Sequence, residues 1–358
     1  MNNYTFAIEL VRWWEANKRD LPWKNTKDPY KIWISEIILQ QTRVEQGKPY
    51  FDAFIRKFPN ITTLANAKED QVLKLWEGLG YYSRARNLHY TAKYVSDSLD
   101  GIFPSSYQDL IKLKGVGPYT AAAIASFAYN LPHAVVDGNV IRLVSRILGI
   151  SEPVDNPKVH KDINNFVSNS IEYTSPASFN QALMDFGSMV CKPNNPDCKT
   201  CIFQSFCEAN IKNLVSQIPI KSKKAPRKER YFHFIDLRIN NEDTTIIVQR
   251  SDTDIWKKLY ELPMLETFDL RPLIELEFSN KLQEIFGIND LNFEISFSKR
   301  KLTQILTHQK IHGFFYEVKV NNKLEKINPP YYLVKRKKVS NFAFPKIIND
   351  YIRTAYNS

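Results

Sequence analysis

Leu113-Lys-Gly-Val-Gly-Pro-Tyr-Thr-Ala-Ala-Ala-Ile-Ala125 is the stretch on which the fold turns. Gly115 and Gly117 allow a tight hairpin, and Pro118 suits the first position of a following helix. The small face of Ala121, Ala122 and Ala123 lets that helix pack closely on its neighbour. The string therefore reads as a helix–hairpin–helix. Its backbone amides point toward the N-terminus of the second helix, where N–H groups and the helix dipole bind a phosphate oxyanion whatever the base sequence. A bare Gly-x-Gly is weak evidence, because many helix corners carry glycines. The alanine run behind it makes the reading specific.

Outward from the hairpin, residues 1–215 read as an all-α domain. Asp28-Pro29 supplies a cap residue and a first-turn proline. Residues 30–43 put Trp33, Ile34, Ile37, Ile38 and Gln41 on one helical face, with Glu36, Gln40 and Arg43 on a neighbouring stripe. Residues 64–75, 107–113, 119–129 and 140–148 show similar periodicity. Residues 216–230 form a basic interdomain linker, with six Lys or Arg and a proline between Lys221 and Arg230. From residue 231 the pattern changes. Residues 231–239, 244–250 and 314–320 are rich in β-branched and aromatic residues, and 282–286 and 343–356 read as helices, so 231–358 is an α/β domain.

All four cysteines fall in one stretch, Cys191, Cys198, Cys201 and Cys207, spaced C-x6-C-x2-C-x5-C. Structural zinc usually takes two tight C-x2-C knuckles, and here there is one. The uneven spacing suits the outward-facing corners of an iron–sulfur cubane better. Two disulfides would also use up the set, although intracellular chains rarely keep them.

A net charge of +11 on 358 residues points first to a polyanionic partner. The first twenty residues lack the layout of a signal peptide, and no apolar run approaches the ~20 residues needed to span a bilayer. A soluble cytoplasmic chain with no membrane partner is expected.

Two carboxylates stand out. Glu36, flanked by Ile34, Ile37 and Ile38, is either a desolvated proton donor or an ordinary solvent-facing helix glutamate. Asp137, between Ala134-Val-Val136 and Gly138-Asn139, reads most simply as a turn or helix cap. Neither is promoted by its own surroundings.

The cysteine spacing, the hairpin and Val136-Asp-Gly-Asn139 together resemble the endonuclease III superfamily of DNA base-excision glycosylases, and within it the MutY family of adenine glycosylases. Leu21-Pro-Trp23, Asp28-Pro-Tyr30, Ser35-Glu36, Leu39-Gln-Gln-Thr-Arg-Val44, Trp76-Glu-Gly-Leu-Gly-Tyr-Tyr-Ser-Arg84 and Phe179-Asn-Gln-Ala-Leu183 match in the family's order over the first 210 residues. The resemblance implies a helix–hairpin–helix glycosylase domain with a 4Fe–4S cluster loop held by the four cysteines, followed by a Nudix-like domain. It implies a monofunctional DNA glycosylase of base excision repair, acting as a monomer on adenine mispaired with 8-oxoguanine or guanine in double-stranded DNA, and associated with the nucleoid when bound to DNA.

By the same resemblance Glu36 protonates the adenine ring. Asp137 stabilises the oxocarbenium-like sugar, or bonds to it transiently as in retaining glycosidases, and Tyr119 and Asn139 position Asp137. Gln41 and Tyr81 enter the gap left by the extruded base. Trp23, Lys24 and Gln181 match adenine-pocket positions, and Gly115 and Gly117 hold phosphate. Lys192, Lys199 and Lys212 stand on the cluster loops, where they could face the phosphodiester backbone. Bifunctional relatives place a lysine where this chain has Tyr119, and a phenol cannot form an imine. Where some relatives carry a lysine shortly after the aspartate, this chain has Ile141 and Arg142. In the second domain the helix comparable to the metal-binding Nudix helix keeps Glu284 but has Lys281 and Ile285 at other acidic positions, so hydrolysis of nucleotides is not expected. Thr307 and His308, in Leu306-Thr-His-Gln309, match a loop that reads the lesion opposite adenine, although a lone histidine packing within the sheet is the simpler account. The rival readings are a bifunctional thymine-glycol-type endonuclease and a non-catalytic damage-binding protein.

Overall fold

Asp28 caps the helix Pro29–Leu39 as expected, its carboxylate accepting from Tyr30 N at 2.9 Å with Pro29 at the first helical position. Tyr30, Ile32, Trp33, Ile34, Ile37 and Ile38 are all buried, so this helix is enclosed on every side rather than amphipathic. It stops at Leu39. Gln41 therefore does not lie on the helical face expected for it but in the turn beyond, with φ 56°. The cause is the next helix, Val44–Lys57, which packs back on this end so closely that a Cβ on Gly47 would sit 2.7 Å from Leu39 Cδ2.

The computed structural model describes residues 2–222, 225–239, 243–289, 291–321 and 327–356, the side chains of 297–300 excepted. Lys223 and Lys224 of the basic connector lie outside the described residues. The chain divides into two units, Met1–Asn66 with Asn87–Lys224, and Ala67–Arg86 with Ala225–Ser358. The helix expected over 64–75 is two pieces, Ile61–Ala65 and Glu69–Leu75, separated at Asn66, where the units part.

In the first unit the helix Asn3–Asn17 packs with Gly138–Leu148, Pro157–Ile171 and Pro176–Met189 around Phe6, Leu10, Val144, Ile163, Phe179, Phe186 and Phe203. Each such side chain contributes roughly 2 kcal/mol by leaving water. The hairpin forms between a short turn of helix, Tyr107–Leu110, and Pro118–Tyr129. Its two glycines are not equivalent. Gly115 has φ +81°, which favours glycine, and a Cβ there would meet Asn87 at 2.7 Å. Gly117 has φ −90°, and a Cβ there would meet open space.

The second unit is built on a four-stranded mixed sheet in the order β4-β1-β6-β5, where β1 is Lys228–Ile239, β4 Met264–Thr267, β5 Phe293–Ile305 and β6 Gln309–Val320. β1 and β6 run parallel over their full length, from Lys228 opposite Gln309 to Ile239 opposite Val320. A three-stranded sheet joins β2 (Thr244–Gln249), β3 (Tyr260–Glu261) and β7 (Tyr331–Lys335). β1 is buried on both faces from Phe232 to Leu237, and the polar residues inside that stretch are hydrogen-bonded, His233 to Tyr316 and Thr267 and Asp236 to Thr245. The helix Glu275–Phe286 packs on one side through Phe278, Leu282 and Ile285, and Lys346–Ala355 packs through Ile347, Ile348 and Tyr351 in a second cluster with Phe232 and Phe234. Residues 336–341 form a 3₁₀ turn.

Candidate active site

Glu36 is only 5% exposed, which overturns the solvent-facing reading. The Tyr119 hydroxyl, one residue into the helix that follows the hairpin, donates to Glu36 Oε2 at 2.7 Å. Gln40 Nε2 donates to Thr120 Oγ1 at 3.2 Å, a second tie between the same two helices. Burial pushes the Glu36 carboxyl up to about 7, opposed by the Tyr119 hydrogen bond, reinforced by Asp137 and opposed again by Lys24. Tyr119 itself is raised well above the usual phenol range, by burial first and then by the two carboxylates. Tyr119 was expected to support Asp137; its hydrogen bond instead goes to Glu36, the carboxylate its hydroxyl faces.

Asp137 caps the helix Gly138–Leu148, accepting from Asn139 N and Val140 N at 2.8 Å each. The plain helix-cap account of this residue is therefore correct as far as it goes. The other oxygen, Oδ2, accepts from Asn139 Nδ2 at 2.7 Å. Asp137 is raised by burial, against the pull of these hydrogen bonds and of Arg142. Arg142, almost fully buried, donates to Asn139 Oδ1 at 2.9 Å, to Cys191 O at 2.7 Å and to Gly187 O. Gly187 makes this approach feasible, since a Cβ there would lie 2.9 Å from Asn139. Glu36, buried, and Tyr119, Asp137 and Asn139, half-buried, thus belong to one polar cluster, reached from three segments more than fifteen residues apart in sequence.

Trp23 is buried and meets Phe51 edge-on at 5.2 Å. Lys24 pairs with the fully buried Asp185, which also binds Arg19 and Trp14. Sequence reasoning missed both Arg19 and Asp185. The available signal was a carboxylate beside Ala182 and Phe186 on the apolar side of its helix. Gln181 is half-buried on that helix, four residues earlier. Lys192 and Lys199 are exposed, and Lys212 is engaged by Glu208 at 2.8 Å.

The four cysteines are free thiols, so the two-disulfide alternative does not hold. All four line one cavity with Leu143, Phe186, Phe203 and Arg146, whose Nη1 lies 3.4 Å from Cys191 Sγ. Among the described residues no three His, Cys, Asp or Glu side chains are gathered closely enough to ligate a single ion. Four sulfurs around a shared apolar cavity, approached by a buried guanidinium, fit a cluster larger than one ion.

In the second unit Tyr81 is exposed, has φ 47°, and shares a hydrogen bond of 2.9 Å with Thr307 Oγ1. Thr307 and the exposed His308 lie in the short loop between β5 and β6. That exposure argues against His308 serving as sheet packing. Glu284 is occupied by Lys281 at 2.7 Å and by the Tyr331 hydroxyl. Among the described residues no helix is long and apolar enough to cross a membrane.

A family described as HhH-GPD superfamily base excision DNA repair protein matches residues 34–168. The adenine DNA glycosylase of Buchnera aphidicola subsp. Baizongia pistaciae is 36% identical over 301 residues, 83% of this chain and 84% of that one. The solved structure of a thermostable thymine-DNA glycosylase superposes with a TM-score of 0.54 at 29% identity, covering 59% of this chain and 97% of that one. A non-covalent endonuclease III–DNA complex gives a TM-score of 0.50 at 19% identity, covering 60% and 99%. Fold and family match together define a helix–hairpin–helix protein of base excision DNA repair. Since the Buchnera relative is matched along more than four fifths of both chains, this chain belongs to the adenine DNA glycosylase family, enzymes that hydrolyse the N-glycosidic bond of adenine.

Proposed function

We propose that this enzyme removes adenine from double-stranded DNA where it faces 8-oxoguanine or guanine, and that it does so without cutting the strand. The observation that carries the reading is Glu36, a buried carboxylic acid held by Tyr119 and raised to about 7 beside a second carboxylate. Such a group is protonated in a large fraction of molecules near neutral pH, as a general acid must be. Glu36 gives its proton to a ring nitrogen of the extruded adenine. The C1′–N9 bond breaks with its electron pair going to the base, which leaves neutral. Asp137 stands by the cationic sugar, and water, relieved of a proton by Glu36, completes the abasic product. Trp23, Lys24 and Gln181 line the base pocket. Gln41 and Tyr81, both held in the left-handed backbone region that non-glycine residues seldom adopt, fill the vacated stack.

Monofunctional action is supported by Tyr119, a phenol that cannot form an imine at the hairpin position, and by the engagement of the Lys24 amine with Asp185. The uncapped amides at the start of Pro118–Tyr129, with open space around Gly117, suit a backbone phosphate. Cys191, Cys198, Cys201 and Cys207 would hold a 4Fe–4S cluster, a group that braces the loop and adds no proton or nucleophile to the reaction. Iron and acid-labile sulfide should both approach four per chain in protein purified without oxygen. Stoichiometric zinc would overturn that assignment.

The second unit, a mixed sheet between two helices, reads as Nudix-like, and the pairing of Glu284 with Lys281 supports the loss of its metal site. Thr307 and His308 then read the base opposite adenine. The test is one gel assay on duplexes carrying adenine opposite 8-oxoguanine, adenine opposite guanine, and thymine glycol. Adenine should be released from the first two, with strand breaks only after alkali. The double variant Thr307→Ala/His308→Ala should narrow the preference for 8-oxoguanine over guanine while excision at saturating enzyme changes less. Unaltered discrimination would remove the loop from the reading. Release of thymine glycol with direct strand cleavage would replace the reading as a whole.

A further inference from the structure

Asp185 has no solvent exposure, and its carboxylate takes four hydrogen bonds. They come from Trp14 Nε1 at 3.0 Å, Arg19 Nε at 2.9 Å, Arg19 Nη2 at 2.6 Å and Lys24 Nζ. Arg19 and Lys24 flank Leu21-Pro-Trp23, 161 or more residues from Asp185 in sequence. One carboxylate faces two cations, so one positive charge is left over in a site where water is largely excluded. Lys24, with 12% of its side chain exposed, is held below the usual lysine range by burial, against the pull of Asp185, while Arg19 keeps 28% of its side chain in solvent. The groups acting on Lys24 are Asp185, Arg19 and Glu36; those acting on Glu36 are Tyr119, Asp137 and Lys24. Among the described residues, Lys24 is bonded to Asp185 and also acts on Glu36, and so joins the two clusters.

We infer that Asp185 is a positioning residue of the glycosylase site, fixing Lys24 and Arg19 so that Glu36 faces one net cation. This rests on the general-acid reading of Glu36. A purely structural Asp185 would stabilise the packing of its helix on the N-terminal segment and leave the charge at Glu36 unconcerned. A positioning Asp185 sets that charge, and the two roles separate in the pH dependence of base release.

The experiment measures single-turnover adenine release from duplex carrying adenine opposite 8-oxoguanine, from pH 5.5 to 9, with Tm recorded for each protein. In Asp185→Asn the second cation is uncompensated and disfavours protonation of Glu36. The basic limb of the profile should move to lower pH by roughly one unit, with about a tenfold loss at neutral pH and less at pH 5.5. Lys24→Met should move the limb the opposite way. The double variant, which restores the charge balance, should return it toward the wild-type position. Asp185→Glu, which keeps the charge, should leave the limb in place. A uniform loss at every pH with a lowered Tm and an unmoved limb would overturn the inference, and so would an unmoved limb in Lys24→Met if Asp185→Asn does not fold. Absence of adenine release by the wild-type enzyme would instead remove the reading on which the inference stands.

Discussion

Glu36→Gln should release adenine about 10²–10⁴-fold more slowly than the wild-type enzyme while still binding the mismatched duplex. The amide fills the same volume and still accepts from the Tyr119 hydroxyl, so the helix–hairpin contact survives. What is lost is the proton. The pH profile of the wild-type enzyme carries the same signature. Glu36 works in its protonated form, so base release should hold at low pH and fall as pH rises through about 7. Stability should move the same way. Because the folded carboxyl sits above its unfolded value, its contribution is complete below about 4.5 and is lost as pH rises through about 7. A shift of that size corresponds to about 3 kcal/mol, which the glutamine variant escapes. Glu36→Gln should therefore melt higher than wild type at pH 8 and nearly level with it at pH 4.5. A variant equally stable at pH 8 and near-normal in turnover would sink the general-acid role.

That trade explains why the site was only partly legible in the sequence. Local signals carried far where the structure used them locally. Asp28-Pro29 marked a helix start, the hairpin string marked its own turn, and the clustered cysteines marked one cavity. The polar cluster is long-range. Tyr119 reaches Glu36 across 83 residues, and Asp185 reaches Trp14 across 171, distances at which no periodicity speaks. Glu36 in isolation looked like any helix glutamate because its burial comes from the neighbouring helices that enclose its own. Gln41 was misplaced because the helix end is set by the packing of Gly47 on Leu39, a contact no propensity encodes. The grouping of residues 67–86 with the second unit has the same origin: Lys74 Nζ donates to Phe342 O at 2.9 Å, and the Tyr260 hydroxyl donates to Asp70 at 3.3 Å.

Asp137→Asn tests the second carboxylate in a setting where cap and chemistry can be told apart. Asparagine is about as good a helix cap as aspartate, so Oδ1 of the variant can still accept from Asn139 N and Val140 N. Its amide nitrogen then occupies the place of Asp137 Oδ2, facing the Asn139 amide nitrogen that donates there. Asn139 cannot turn to relieve the clash, because its carbonyl oxygen is held by the buried Arg142. The donor–donor contact should cost about 1–2 kcal/mol of stability, too little to unfold the unit. Base release should fall further than that, by about 10³-fold or more, because no anion remains beside the cationic sugar. Circular dichroism should show a wild-type helical spectrum with a modestly lower Tm. Asp137→Ala adds the loss of the cap, about 1 kcal/mol more, with no further loss of rate. Were Asp137→Asn to keep its rate and lose only stability, Asp137 would be a helix cap and nothing else, and the anion opposite the sugar would have to be sought among other residues.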